Sequence, residues 1–106
     1  MLTVTQSFEN APSFFRRHKA IGLEGTIQYE ITGPGGGTWH LTVKDEACAF
    51  QPGPAQAPEA TLTVPAQDWL AFASGAVTVQ ASIDSGKFVI SGDQAKFWRL
   101  VSLFAD

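Results

Sequence analysis

Cysteine occurs once in the chain, at Cys48, so neither an intrachain disulfide nor a thiolate metal cluster can form. That usage fits a reducing cytosol, and a cytoplasmic protein is expected. No apolar run approaches the ~18 residues that a membrane-spanning helix needs. Met1-Leu2-Thr3-Val4-Thr5-Gln6 lacks the basic stretch and long apolar run of a signal peptide. Phe104-Ala105-Asp106 is not the Ser-Lys-Leu peroxisomal address. Charge is scarce, at 16% of residues, and the net charge is −3, which argues against the basic footprint of a nucleic-acid binder. Neither nucleic acid nor stable membrane insertion is therefore expected. The densest basic cluster, Arg16-Arg17-His18-Lys19, spans about one helical turn and reads as a solvated helix end, where cations are favoured.

Catalytic groupings are scarce too. His18 and His40 are far apart in sequence, and no His, Cys, Asp and Glu set has metal-ligand spacing. Gly33-Pro34-Gly35-Gly36-Gly37 leads into a strand and lacks a lysine, so it reads as a hairpin turn rather than a phosphate cradle. Asp45 and Glu46 are adjacent and would point to different faces if extended, which reads as a turn rather than an acid/base pair. Ser74-Gly75 and Ser85-Gly86 lack the context of a nucleophile elbow. Cys48 reads as a small buried hydrophobe, and His40, alternating with Trp39 and Leu41, as a solvent-facing residue. The expectation is a non-enzyme with no cofactor and no metal.

What the chain does have is a generous apolar supply, eight Phe and three Trp among 106 residues, on a regular pattern. Phe8, Ala11 and Phe15 lie on one face of a helix from Thr5 to about Lys19, with a kink or break at Pro12 and Ser13 as a cap for its second half. From Leu23 the period changes to two. Ile27, Tyr29 and Ile31 alternate with Thr26, Gln28 and Glu30; Trp39, Leu41 and Val43 alternate with His40, Thr42 and Lys44. Joined by the glycine-rich loop, these strands form an antiparallel hairpin. A third strand follows at Ala47–Gln51. Pro52 to Pro58 is an extended connector. Ala60–Val64 is a fourth strand, and Pro65 suits the first turn of a helix carrying Ala66, Trp69, Leu70 and Ala73 on one face, with Gly75 as its stop. Val77–Ser85 fits a strand or a short helix from Thr78. Lys87–Ser91 is the fifth strand, and Asp93 caps a last helix with a stripe of Phe97, Leu100, Val101 and Phe104. The sum is an α+β fold, a mostly antiparallel five-stranded sheet with helices on one face, without internal repeat or second domain.

Trp69, Phe72, Phe88, Phe97, Trp98 and Phe104 crowd the C-terminal half on elements that should pack together. They can fill a core or line a hollow. Phe72 and Trp98 flank the apolar stripes of their helices, positions suited to a pocket mouth.

Several segments, in order, resemble the sterol-carrier-protein-type-two family. They are Phe8-Glu9-Asn10-Ala11-Pro12, Gly25 to Gly33, Gly37 to Asp45, Pro58 to Val64 with Asp68-Trp69-Leu70 and Gly75, Ser85-Gly86-Lys87 through Gly92-Asp93, and Leu100 through Phe104. The resemblance spans nearly the whole chain and suggests a small bacterial member. It implies a tunnel between sheet and helices for a fatty acid, fatty acyl-CoA, sterol-like or isoprenoid lipid, with no chemistry on the ligand. The lipid-lining set implied for this chain is Phe15, Leu62, Trp69, Phe72, Ile83, Phe88, Phe97, Trp98, Val101 and Phe104. Ile83 stands where the family usually has Phe, in a polar segment, Val77–Asp84, that lines the ligand space in relatives. Asp45-Glu46-Ala47 replaces the family's Asp-Gly turn, and the short chain argues for a small or nearly filled cavity. The partner expected is an apolar small molecule. The alternative is a filled interaction module that forms a homodimer or docks on an enzyme as an accessory factor.

Overall fold

The computed structural model describes residues 3–76 and 79–104, except for the side chains of 79, 80 and 104. Its frame is a five-stranded mixed sheet of β1 (Gly25–Thr32), β2 (Gly37–Lys44), β3 (Ala47–Pro52), β4 (Ala60–Pro65) and β5 (Val89–Gly92), in the spatial order β3-β2-β1-β4-β5. Three pairings are antiparallel and one, β1 with β4, is parallel. The period-two pattern decides what each face carries. Ile27, Tyr29, Ile31, Leu41, Val43, Leu62 and Val64 are buried on one face, while Thr26, Gln28, Glu30 and His40 are half-buried on the other. Burying each large aliphatic side chain contributes roughly 1.5–3 kcal/mol.

The parallel pair needs a crossover, because β3 lies at the sheet edge and β4 beyond β1. Three strand spacings amount to about 14 Å. The connector from Gly53 to Glu59 spans them on the face that the helices leave free. The His40 Nδ1–H donates to the Gly53 carbonyl at 2.9 Å, the Ala55 N–H donates to Gln28 Oε1 at 3.0 Å, and the Glu59 N–H donates to the Thr26 carbonyl at 2.9 Å. His40 does point away from the helices, but this strap half-buries it, so it is not the freely solvated histidine expected. Gln28 Nε2 also donates to Glu30 Oε2 at 2.8 Å on the same face.

The helices cover the opposite face. α1 (Val4–Asn10) opens on a reciprocal cap, in which the Gln6 N–H donates to Thr3 Oγ1 at 3.1 Å and the Thr3 N–H donates to Gln6 Oε1 at 3.0 Å. The long helix expected through Lys19 ends here. Pro12 cannot continue the α-helical hydrogen bonding, and two 3₁₀ turns follow, Ala11–Phe14 and Arg17–Lys19. Ser13 is not a cap; its hydroxyl donates backwards to the Asn10 carbonyl at 2.7 Å. Pro65 closes β4 and is the N-cap of α2 (Ala66–Ala73), one position earlier than expected. The ambiguous segment is helical where described, as α3 (Val79–Asp84); Val77 and Thr78 lie outside the described residues. β5 is shorter than expected, since Lys87 and Phe88 precede its pairing with β4.

α4 (Gln94–Val101) starts at Asp93, whose Oδ1 accepts from the Lys96 N–H at 3.0 Å. It lies directly on the first residue of β1. A Cβ on Gly25 would sit 2.8 Å from Leu100 Cδ1, so only glycine admits the helix this closely. Cys48 is half-buried on β3, an edge strand with less cover than expected for a core residue, and partial burial pushes its thiol pKa up. Among the described residues no helix is long and apolar enough to cross a membrane.

The β2–β3 hairpin closes with Lys44 opposite Ala47, so its loop is only Asp45-Glu46, and both residues have positive φ, 53° and 61°. That is the backbone of a turn that favours Gly, Asn or Asp, and a left-handed side-chain residue costs about 1–2 kcal/mol. Glu46→Gly is therefore expected to raise the urea midpoint by an amount equivalent to about 1 kcal/mol with an unchanged slope. A lower midpoint would contradict the strain assigned to this turn.

Candidate functional site

The sheet and the helices do not meet everywhere. Between them lies a cavity of about 430 Å³. Its sheet side is made by Tyr29 of β1, Phe50 of β3, Leu62 of β4 and Phe88 just before β5. Its helix side comes from Ser7 and Phe8 of α1, Trp69, Phe72 and Ala73 of α2, and Phe97, Trp98 and Val101 of α4. Ala11, Phe14 and Ser102 complete the lining. Phe8, Tyr29, Leu62, Trp69, Phe88 and Phe97 are buried and form the deep wall. Phe72, Trp98 and Val101 are half-buried, and Phe14 is 60% exposed, so the mouth lies between the turn after α1 and the ends of α2 and α4. Lining residues other than Ser7 and Ser102 are apolar or aromatic, and none carries a charge.

The wall is held by ring packing. Phe8 is stacked between Trp39, at 4.9 Å and 17°, and Trp69, at 5.0 Å and 14°. Tyr29 meets Phe8 edge-on at 5.3 Å, and Phe72 meets Phe88 edge-on at 5.5 Å. Each such pair adds about 0.5–1.5 kcal/mol beyond its burial. The Trp69 indole N–H is buried with the ring and needs an acceptor. Ser7 Oγ supplies one at 2.7 Å, and its own proton goes to the Val4 carbonyl at 2.6 Å. One hydroxyl thus ties α2 to α1 across the top of the cavity. Burial also pushes the Tyr29 phenol well above its usual pKa, so the group stays neutral.

Of the residues expected to line a lipid site, Leu62, Trp69, Phe72, Phe88, Phe97, Trp98 and Val101 line this cavity. Phe72 and Trp98 stand at its mouth. Phe15 and Ile83 pack against the core outside the cavity lining. The side chain of Phe104 lies outside the described residues. Phe8, Phe14, Tyr29 and Phe50 were not among the expected residues. For Tyr29 a signal existed, since its alternation with Ile27 and Ile31 already turned it inward. Phe50 required knowing that it stands opposite Leu41. Among the described residues no three His, Cys, Asp or Glu side chains gather to hold a metal ion.

A mixed five-stranded sheet with an apolar hollow under its helices defines the structural class. Within that class, the model of the SCP-2 sterol transfer family matches residues 9–105, and the chain belongs to this family. No curated protein is significantly similar to the sequence. Among solved structures, the fold is similar to that of palmitated SCP2L2 from Aedes aegypti, with a TM-score of 0.76 and 24% identity over 99% of this chain and 96% of that one. It is similar to the ubiquinone synthesis protein UbiJ-SCP2, with a TM-score of 0.67 and 17% identity over 91% of this chain and 87% of that one. It is also similar to part of Pisa1, a stereoselective inverting sec-alkylsulfatase from Pseudomonas sp., with a TM-score of 0.81 and 17% identity. That match covers 99% of this chain but only 17% of the sulfatase.

Ser7→Ala would leave the buried Trp69 N–H without its acceptor, which costs about 1–3 kcal/mol. A fall of that size in unfolding free energy is expected from urea titration, and it should shrink in a Trp69→Phe background, where no N–H remains. Equal losses in both backgrounds would remove the hydrogen bond from the account.

Proposed function

We propose that residues 1–106 form one lipid-binding domain that carries an apolar small molecule in the cavity between sheet and helices, without chemistry on it. The ligand class is a fatty acid, fatty acyl-CoA, sterol-like or isoprenoid lipid. The observation that carries this reading is the uncharged, ring-lined space of about 430 Å³. It falls within the ~300–1,000 Å³ typical of small-molecule sites. Apolar cavities stay dry when empty, so an alkyl chain entering this one gains about 0.8 kcal/mol per buried methylene. The palmitated state of the Aedes aegypti relative supports an acyl chain as one such guest. Cysteine usage supports a cytoplasmic setting.

Within this reading a carboxylate head stays at the mouth. No cation lines the interior, and an unpaired charge inside would be costly. Trp98 and Ser102 flank that opening. An accessory role beside an enzyme is a second reading, supported by the similarity of this fold to part of the much longer sulfatase chain. The open cavity speaks against the version of that role in which the domain is filled.

Titration with a fluorescent fatty acid is expected to give a saturable one-site isotherm. Trp98→Ala should weaken it about five-fold, the equivalent of one lost ring contact, with the folded circular dichroism spectrum retained. Phe97→Ala is a poorer test, because truncating a buried Phe costs about 3–5 kcal/mol of stability. An unsaturable signal, or unchanged affinity in folded Trp98→Ala protein, would overturn the reading or its site respectively.

A further inference from the structure

The polar atoms around the cavity are, with two exceptions, committed within the protein. Ser7 Oγ and the Trp69 N–H serve each other, and Ser102 Oγ donates to the Arg99 carbonyl at 2.7 Å. The Trp98 indole belongs to a half-exposed residue at the mouth, within reach of bulk water. Tyr29 differs. The residue is only 4% exposed, and its hydroxyl makes no hydrogen bond to any described residue. Yet among the described residues no side-chain oxygen or nitrogen is both sealed from solvent space and unpartnered. The Tyr29 hydroxyl must therefore open onto accessible space, and the space this residue lines is the cavity. The surrounding rings, Phe8 at 5.3 Å, Trp69 at 5.5 Å and Phe50 at 6.2 Å, offer it no acceptor.

Resting on the lipid-carrier reading above, we propose that the Tyr29 hydroxyl is the polar anchor of the site, and that the ligand is an otherwise apolar molecule with a neutral oxygen, a hydroxyl or carbonyl, at its buried end. The class follows from what surrounds that oxygen. A phenol donates one hydrogen bond and accepts others, which suits an alcohol, ketone or ester equally. A carboxylate would need a cation or several donors to leave water, and no Lys, Arg or His lines the cavity. The phenol remains a donor because burial keeps it protonated. A site that places one polar group deep in an apolar wall discriminates by leaving that group unpaired when the wrong ligand enters.

The test is a comparison of wild type and Tyr29→Phe, a change that removes the oxygen and keeps the ring. Each protein is titrated with dodecanol, dodecane and dodecanoate, followed by the fluorescence of the tryptophans that line the cavity. Dodecanol affinity is expected to fall about five-fold in Tyr29→Phe, the value of one ordinary hydrogen bond. Dodecane and dodecanoate affinities should not change. An unchanged dodecanol affinity, or one equal loss for all three, overturns the anchor while the carrier reading stands. A loss for dodecanoate as large as that for dodecanol overturns the neutral-oxygen assignment. If wild type binds none of the three, the carrier reading and the anchor fall together.

Discussion

Phe8 is the residue on which the architecture closes. Its ring lies flat between Trp39 on the sheet and Trp69 on the second helix, and Ser7 beside it receives the Trp69 N–H. Three elements distant in sequence are thereby fixed at ring-stacking distance. Without this contact α1 would have no reason to sit on the sheet. It is a short helix whose buried residues are Val4, Ser7 and Phe8, and a helix of that length is not stable alone. The same contact makes a wall of the cavity, so the packing that stabilises the domain also shapes the space it leaves open.

Packing differs from one part of the helix layer to another. Over the start of β1, α4 presses onto Gly25 with no room for a Cβ, and aliphatic Ile27, Val43 and Leu100 fill the interior. Around Tyr29 and Phe50 the interior is built from rings. Aliphatic side chains can shift and interdigitate to close a gap, whereas rings held by their neighbours leave spaces that their own shape does not fill. A hollow bounded by Phe8, Tyr29, Trp69 and Phe88 is consistent with that difference. The free face of the sheet is used in another way, as the path of the crossover strap.

Much of the fold was legible in residue order. The strands around Ile27, Leu41 and Leu62 were recognisable from period two, and Asp93 as a cap from its place after Gly92. The break at Pro12 followed from the missing N–H. Less legible were features that depend on what lies opposite. His40 was expected in solvent because alternation shows the face and not the strap that crosses it. The length of β5 was overestimated because pairing with β4, rather than apolar character, decides where a strand begins. For the site, the C-terminal rings were visible as a cluster, but Phe8 and Tyr29 looked like ordinary members of a helix stripe and a strand face.

The sequence by itself determined the α+β class, the family, the inward faces and the apolar character of whatever those faces enclose, since periodicity and turn chemistry act over a few residues. Tertiary structure alone decided which rings share one space, that this space stays open, and that the Tyr29 hydroxyl is left facing it. Those outcomes depend on strand order and helix placement. The Ser7–Trp69 hydrogen bond joins residues 62 positions apart, and local periodicity carries no information over that distance.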